Sequence, residues 1–295
     1  MQKHAYLIIA HNEFKILELL INALDDVRND IYVHFDAKVA QLPNLKCEKS
    51  TLVILENRKR VYWGDYSQIE TEIVLFESAF NNQKQLGVEY LYYHLISGVD
   101  IPLKNQDYIH NFFMTNQGKE FLGFFQGDLS GELRKKAQIF HLFPQKFTKQ
   151  RVYTFSSLVR ALFAKLQLVV GVIRNGDIAL TRGTNWASVT NDFVAFLLSQ
   201  KQQIYKRFHH TFCADEIYKH TLCWNSDFRD KVYDLKNEGL GCMREINWVI
   251  TETDSFLPSF TMNDYRRLKE SKCLFARKFD SQNIDIAERI INEIK

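Results

Sequence analysis

Short runs of apolar β-formers alternate with helically spaced apolar residues through the first hundred positions. That alternation narrows the fold to an α/β sheet of the parallel type with helices on both faces. Ala5-Tyr6-Leu7-Ile8-Ile9-Ala10 is a continuous apolar run, as in a strand buried on both sides. After His11-Asn12-Glu13, residues Ile16, Leu17, Leu19, Leu20 and Leu24 repeat at helical spacing. Ile31–Phe35 is the next strand and ends at Asp36; Thr51–Leu55 is a third. Tyr66–Asn81 reads as a helix with Ile69, Ile73, Phe76 and Phe80 on one face, and Tyr90–Ile96 as a fourth strand running into Ser97-Gly98-Val99-Asp100. Ligands of such sheets sit at the carboxyl ends of strands. Four polar clusters fall at those ends: His11-Asn12, His34 with Asp36, Trp63-Gly64-Asp65, and Ser97 with Asp100.

The remainder is less regular. Residues 104–150 mix short helices and loops, Asn191–Phe208 reads as one amphipathic helix, 241–280 as short strands and loops, and Asp285–Lys295 as a closing helix. Ser156–Arg174 is apolar at Leu158, Leu162, Phe163, Leu166, Val169, Val170 and Ile173 and basic at Arg160, Lys165 and Arg174. Two readings follow: a core helix, which the periodicity favours, or a helix lying on an anionic membrane. With only 4 Pro and 12 Gly, the chain shows no repeat or linker, so we read residues 1–295 as one domain with halves at 1–105 and 106–295.

Composition excludes several classes. At 46% hydrophobic and 25% charged residues the chain is globular rather than disordered. No run of about 18 apolar residues suggests a spanning helix, and the first residues do not read as a signal peptide. Thirty-eight basic residues against 35 acidic ones give a net charge of +3, which does not demand nucleic acid as a partner. Five cysteines without a CxxC pair point to a reducing compartment; Cys213, His220 and Cys223 fit no zinc spacing.

The first strand is followed by Ala10-His11-Asn12-Glu13, with no GxGxxG loop, and no P-loop occurs anywhere, so dinucleotide and kinase-like readings lose their footing. A nucleotide-sugar site fits better: Asp36 at a strand end suits a uracil or ribose, although an aspartate there also serves as a turn cap. There is no Asp-x-Asp to hold a metal on a diphosphate; Glu70-x-Glu72 lies in a helix and Glu252-x-Asp254 in a late segment. Cationic side chains can neutralise a diphosphate instead, and Arg277-Lys278, flanked by apolar residues, is the candidate pair, a solvated basic turn being the plainer alternative. Asp215-Glu216 supplies a general base, or merely charge at a helix start. Trp186 in Arg182-Gly183-Thr184-Asn185-Trp186 offers a stacking platform for a sugar ring, or a core indole.

Taken together, these segments resemble the Core-2/I-branching glycosyltransferases, which include β-1,6-N-acetylglucosaminyltransferases and peptide O-xylosyltransferases. The matching pieces occur in the family's order: Ala5–His11; Val33-His34-Phe35-Asp36-Ala37-Lys38; Val61-Tyr62-Trp63-Gly64-Asp65-Tyr66-Ser67; Leu95–Leu103, containing Ser97-Gly98-Val99-Asp100-Ile101-Pro102-Leu103; Gly183–Trp186; Asp215-Glu216; and Leu274–Phe279, containing Phe275-Ala276-Arg277-Lys278-Phe279. The Ser-Gly-x-Asp-x-Pro-Leu and Phe-Ala-Arg-Lys-Phe segments are the most specific.

The resemblance implies a GT-A-like fold with a Rossmann-like nucleotide-binding half and a mixed central sheet, a UDP-sugar donor, inversion at the anomeric carbon, and neither a metal nor a cofactor. Residue by residue, it implies donor contacts from His11, Asp36, Trp63, Ser97 and Asp100, with Arg277 and Lys278 on the diphosphate. Glu216 is the implied base, and Asn185, Trp186 and Asp215 lie on the acceptor side. Xylosyltransferase-like members carry Asp-Trp where this chain has Asn185-Trp186, so acceptor contacts there are expected to differ. GlcNAc is the first expectation for the donor sugar and xylose the second; the acceptor is a glycan or lipid-linked oligosaccharide. We expect a compact bacterial type without the anchor, stem and cysteine-linked insertions of animal Golgi members. It would work in the cytoplasm, with peripheral membrane contact through 156–174. A non-catalytic nucleotide-sugar or glycan-binding protein on the same fold is the alternative.

Overall fold

The computed structural model describes residues 2–146, 154–250 and 255–295. In chain order the elements are β1 (Gln2–Ala10), α1 (Phe14–Leu24), β2 (Asn29–Phe35), β3 (Thr51–Ile54), α2 (Ser67–Leu86), β4 (Glu89–Ser97), β5 (Asp100–Pro102), α3 (Gln106–Thr115), α4 (Ser130–Lys136) and α5 (Phe155–Val169). They continue with β6 (Ala187–Thr190), α6 (Asn191–Ser199), α7 (Lys201–Phe208), α8 (Tyr218–Trp224), α9 (Glu238–Cys242), β7 (Arg244–Ile246), β8 (Val249–Ile250), β9 (Ser255–Phe256), α10 (Tyr265–Glu270), β10 (Phe275–Arg277) and α11 (Ile284–Ile294).

The main sheet has the order β3-β2-β1-β4-β6. Its first four strands are parallel, and β6 runs antiparallel to β4, which makes the sheet mixed. Every residue of β2 is buried, and most of β1 is too, as their unbroken apolar runs require. Helix α1 buries Ile16, Leu17, Leu20, Ile21 and Leu24, a stripe that packs with β5 and α11 on one face. Helix α2 covers β1, β2 and β4 on the other face, beside α6. Each of the two cores draws residues from both 1–105 and 106–295. Because β1 leads over one face to β2, while β3 crosses the other face to β4, the chain reverses direction between β1 and β4. This reversal opens a crevice at their carboxyl ends.

A second, smaller sheet has the order β5-β10-β7. Strand β10 runs antiparallel to β5, with Arg277 opposite Asp100, and parallel to β7. The fully buried Arg244 of β7 joins this sheet to the main one. It donates to Ser188 Oγ at 2.9 Å, to the Ala187 carbonyl at 2.8 Å and to the carbonyl of Cys242.

Two expectations need correction. Asn191–Phe208 is not one helix: α6 and α7 meet at Gln200, the C-cap of one and the N-cap of the other. No glycine or proline marks this break. Residues 156–174 do not form a core helix either. Helix α5 buries only Gln167, while Phe155, Leu158, Leu162 and Leu166 are exposed. A helical period reports that a stripe exists, not which way it faces. Among the described residues no helix is long and apolar enough to cross a membrane.

Phe275 is fully buried between the two sheets, its ring 6.2 Å from Tyr6, 5.9 Å from His94 and 5.1 Å from the Arg244 guanidinium. Phe275→Ala is expected to lower the unfolding free energy by about 3–5 kcal/mol in urea melts, through lost transfer energy and the cavity left behind.

Candidate active site

The carboxyl ends of β1, β2 and β4 bring three of the sequence-derived clusters together. Asp36 closes the turn after β2: its N–H donates to the Ala10 carbonyl at 3.0 Å, and its Oδ1 accepts the Lys38 N–H at 2.9 Å. Its Oδ2 lies 3.2 Å from Lys38 Nζ. The turn-cap role is therefore real, and the buried carboxylate still sits at the crevice. His11 is exposed at the mouth. Partial desolvation lowers its pKa, the Asp36 charge opposes that shift, and Lys38 and Lys278 add to it, so these four groups share one neighbourhood. Ser97 follows directly, its N–H donating to Asp100 Oδ2 at 3.1 Å.

Asp100 is fully buried, and its Oδ1 lies 3.7 Å from Nε of Arg277. Burial raises the Asp100 pKa, and the Arg277 charge opposes it. Buried ions of this kind persist when each offsets the other's desolvation. The guanidinium also stacks 4.1 Å from the Trp186 ring centroid. Among the described residues Arg277 Nε and Nη1 find no hydrogen-bond partner. A buried cation with unspent donors is poised for an anionic ligand. Lys278, half-buried, is fixed through its backbone by the Phe260 N–H donating to its carbonyl at 2.8 Å.

The second group of side chains surrounds Asp215 and Glu216. These lie on a single 3-10 turn, Ala214–Glu216, ahead of α8, and they diverge. Glu216 keeps 31% of its side chain exposed, between Arg182 Nη1 at 3.3 Å and Lys136 Nζ at 3.7 Å. Glu132 binds the same two cations, at 3.0 Å from Arg182 and 2.6 Å from Lys136. Asp215 points inward, accepting from Gln68 Nε2 at 2.9 Å, with Oδ1 unpartnered among the described residues. Burial first, then the charges of Glu216 and Glu72, push its pKa up to about 7. Behind it Lys219 and Glu72, both buried, form an ion pair, extended by Tyr218 Oη donating to Glu72 at 2.6 Å and by Lys219 donating to Asn185 Oδ1. The Trp63-Gly64-Asp65 loop belongs to this group. Trp63 meets Phe212 edge to face at 5.3 Å, and the Gly64 carbonyl accepts the Cys213 N–H. Gly64 has φ 72°, and a Cβ there would lie 2.4 Å from the Phe212 ring.

One short strip ties the two groups together. The Gly183 N–H donates to the Glu216 carbonyl at 3.0 Å, Asn185 receives Lys219, and Trp186 underlies Arg277. Gly183 admits no side chain, since a Cβ would come 1.7 Å from the Gly123 carbonyl oxygen. Of the candidates, Glu216, Lys278, His11 and Trp63 reach the surface, whereas Asp100, Asn185 and Asp215 are buried and act on their neighbours. Reading the residues one by one overlooked Lys136, Glu132 and the Glu72–Lys219 pair. Their only sequence signal is charge within helical stretches, which usually marks a solvated face. Among the described residues no group of three or more His, Cys, Asp or Glu side chains is arranged to hold a metal ion.

The raised Asp215 pKa has a testable sign. The folded state holds this proton up to about pH 7, while the unfolded chain releases it near 4. The stability linked to it is complete below about pH 4 and is lost as pH rises through about 7. Asp215→Asn is expected to abolish this loss, so in denaturant melts the variant gains on the wild type at pH 8 relative to pH 5.

Residues 4–268 match the Core-2/I-branching enzyme family. A xylosyltransferase of the fly Drosophila pseudoobscura pseudoobscura is 22% identical over 284 residues, covering 88% of this chain, and the chain spans 29% of that relative's length. The crystal structure of mouse xyloside xylosyltransferase 1 in its apo form aligns with 96% of this chain and 99% of its own, with 11% identity and a TM-score of 0.39, too low to add weight. The family match covers most of the chain, and on that ground this protein belongs to the Core-2/I-branching enzymes.

Proposed function

We propose that this protein is an inverting, metal-independent glycosyltransferase that moves a sugar from a UDP-sugar to a hydroxyl of a glycan acceptor. One observation carries the reading. The strip Gly183–Trp186 links a partly exposed carboxylate, Glu216, to a buried guanidinium with unspent donors, Arg277, beside the crevice of a parallel sheet.

The reaction is a single displacement. Glu216 accepts the proton of the acceptor hydroxyl while that oxygen bonds to the anomeric carbon. The bond to the diphosphate breaks on the opposite face, and its electron pair leaves with UDP, so an α-linked donor yields a β-linked product. Positive charge spreads over the ring in the transition state, as in glycoside hydrolysis, and negative charge grows on the diphosphate. We assign Arg277 and Lys278 to that charge, where fixed cations stabilise the transition state more than the ground state. Arg182 and Lys136 hold the Glu216 carboxylate in place. Asp36 and His11 take the uridine end. The absence of an Asp-x-Asp pair and the presence of these cations support a metal-free site. UDP-N-acetylglucosamine is our first donor and UDP-xylose the second, the latter in keeping with the name of the fly relative. We place the reaction in the assembly of surface polysaccharide or lipopolysaccharide on the cytoplasmic side.

Glu216→Gln is expected to reduce turnover by about 10²–10⁴ with binding of UDP retained; retention of more than about a third of wild-type turnover would remove Glu216 as the base. Isothermal titration of UDP tests the cations. Binding that survives EDTA and is lost in Lys278→Ala supports the site as drawn, and that variant is expected to lose roughly 10²–10³ in rate, about 3–4 kcal/mol. A requirement for Mn²⁺ overturns the metal-free assignment, and tight glycan binding without turnover favours the non-catalytic alternative.

A further inference from the structure

We propose that α5 docks this protein onto an anionic lipid surface. The helix is inside out. At 100° per residue, Phe155, Leu158, Leu162, Leu166 and Val169 fall within an arc of about 80°. They are 84, 66, 68, 56 and 76% exposed. On the opposite side Gln167 is buried, its Oε1 accepting the Phe140 N–H at 2.8 Å and its Nε2 donating to the Phe140 carbonyl at 2.9 Å. Val170 and Ile173 extend the exposed stripe past the end of the helix.

The helix is capped at its start and tied to the body of the protein through Gln167 and the residues just after it. Thr154 and Ser157 form a capping box at its start. Arg174, just after it, stacks on Phe140 at 4.2 Å and donates to the carbonyls of Ile139 and Arg207. A capped helix with its apolar stripe turned outward has a partner to meet, since soluble monomers rarely expose large contiguous apolar patches.

Charge selects the partner. From Leu133 to Gly176 the sequence holds nine Lys or Arg residues and no Asp or Glu. Lys165 is exposed on the flank of the stripe. An apolar stripe within a wholly cationic stretch is complementary to a bilayer rich in anionic headgroups. It is a poor match for a second copy of itself, whose cations would face these across the contact. The 15 residues of α5 are too short to span a bilayer and lie in its interface. The same block reaches the candidate active site: residues 137–141 lead out of α4, which carries Lys136 against Glu216, and the Phe212 N–H donates to the Lys136 carbonyl. A membrane-borne acceptor would thus arrive on the Glu216 side. The docking itself does not rest on the transferase reading, since it is tested without any sugar.

Vesicle flotation supplies the test, using mixed phosphatidylglycerol and phosphatidylcholine against phosphatidylcholine alone. The wild type is expected to float with the anionic vesicles. The double variant Leu162→Glu, Leu166→Glu is expected to lose roughly tenfold or more in bound fraction, as is the wild type on neutral vesicles. Raised salt should weaken the wild-type interaction by screening. Because both leucines are solvent-facing, the variant keeps its circular dichroism, melting temperature and UDP binding. Absence of flotation, or equal flotation of the variant, overturns the proposal. So does a vesicle-independent dimer, seen by light scattering and dissolved by the same substitutions, which would make a second copy the occupant.

Discussion

The pairing of β10 with β5 sets Arg277 against Asp100, and much of the site depends on that register. Two buried charges 3.7 Å apart are tolerated because each offsets the desolvation of the other. A shift of one residue would turn Arg277 to the opposite face of the strand and leave Asp100 alone in the interior. The register therefore fixes which of two adjacent cations is sequestered and which, Lys278, remains half-exposed. Arg244, from the neighbouring strand, reaches instead out of the small sheet to the Ala187 carbonyl of the main one. The small sheet is thus held to the large one by the hydrogen-bonded guanidinium of Arg244 as well as by Phe275.

Local pattern carries the parallel part of the fold well. The runs 5–10, 31–35, 51–55 and 90–96 lie within or nearly coincide with β1 to β4; for β1, β2 and β4 this is because central strands buried on both faces are largely apolar, whereas β3 is a short edge strand. The helix after β1 and the closing helix are equally plain, for their stripes face the core. The strand-end clusters follow from the same reasoning, since a polar group just beyond a buried strand lands on the carboxyl edge of the sheet.

What the sequence hides is direction and partnership. The stripe of α5 has the spacing of a core helix, yet its polar side is the one that packs, and spacing alone is blind to which side that is. The kink at Gln200 leaves no mark because no helix breaker is involved. Lys136, Glu132 and the Glu72–Lys219 pair escape notice because each is an ordinary charged residue until folding brings it to Glu216, to Arg182 or, for the pair, to each other, far along the chain. The loop of Trp63 packs on Phe212 and Cys213 beside the carboxylates, a neighbourhood far from it in the chain. Only the tertiary path of the loop reveals that.

The strip from Gly183 to Trp186 also acts as a caliper. Three peptide steps reach at most about 11 Å, and both ends are pinned, one by the Glu216 carbonyl and the other by the indole beneath Arg277. The segment between these anchors is short, and Gly183 has no room for a side chain against the Gly123 carbonyl. A change in the size of whatever lies between acid and guanidinium must therefore be met by trimming or enlarging side chains. Drift in specificity along this lineage should be written in the residues lining the strip, while its length stays constant.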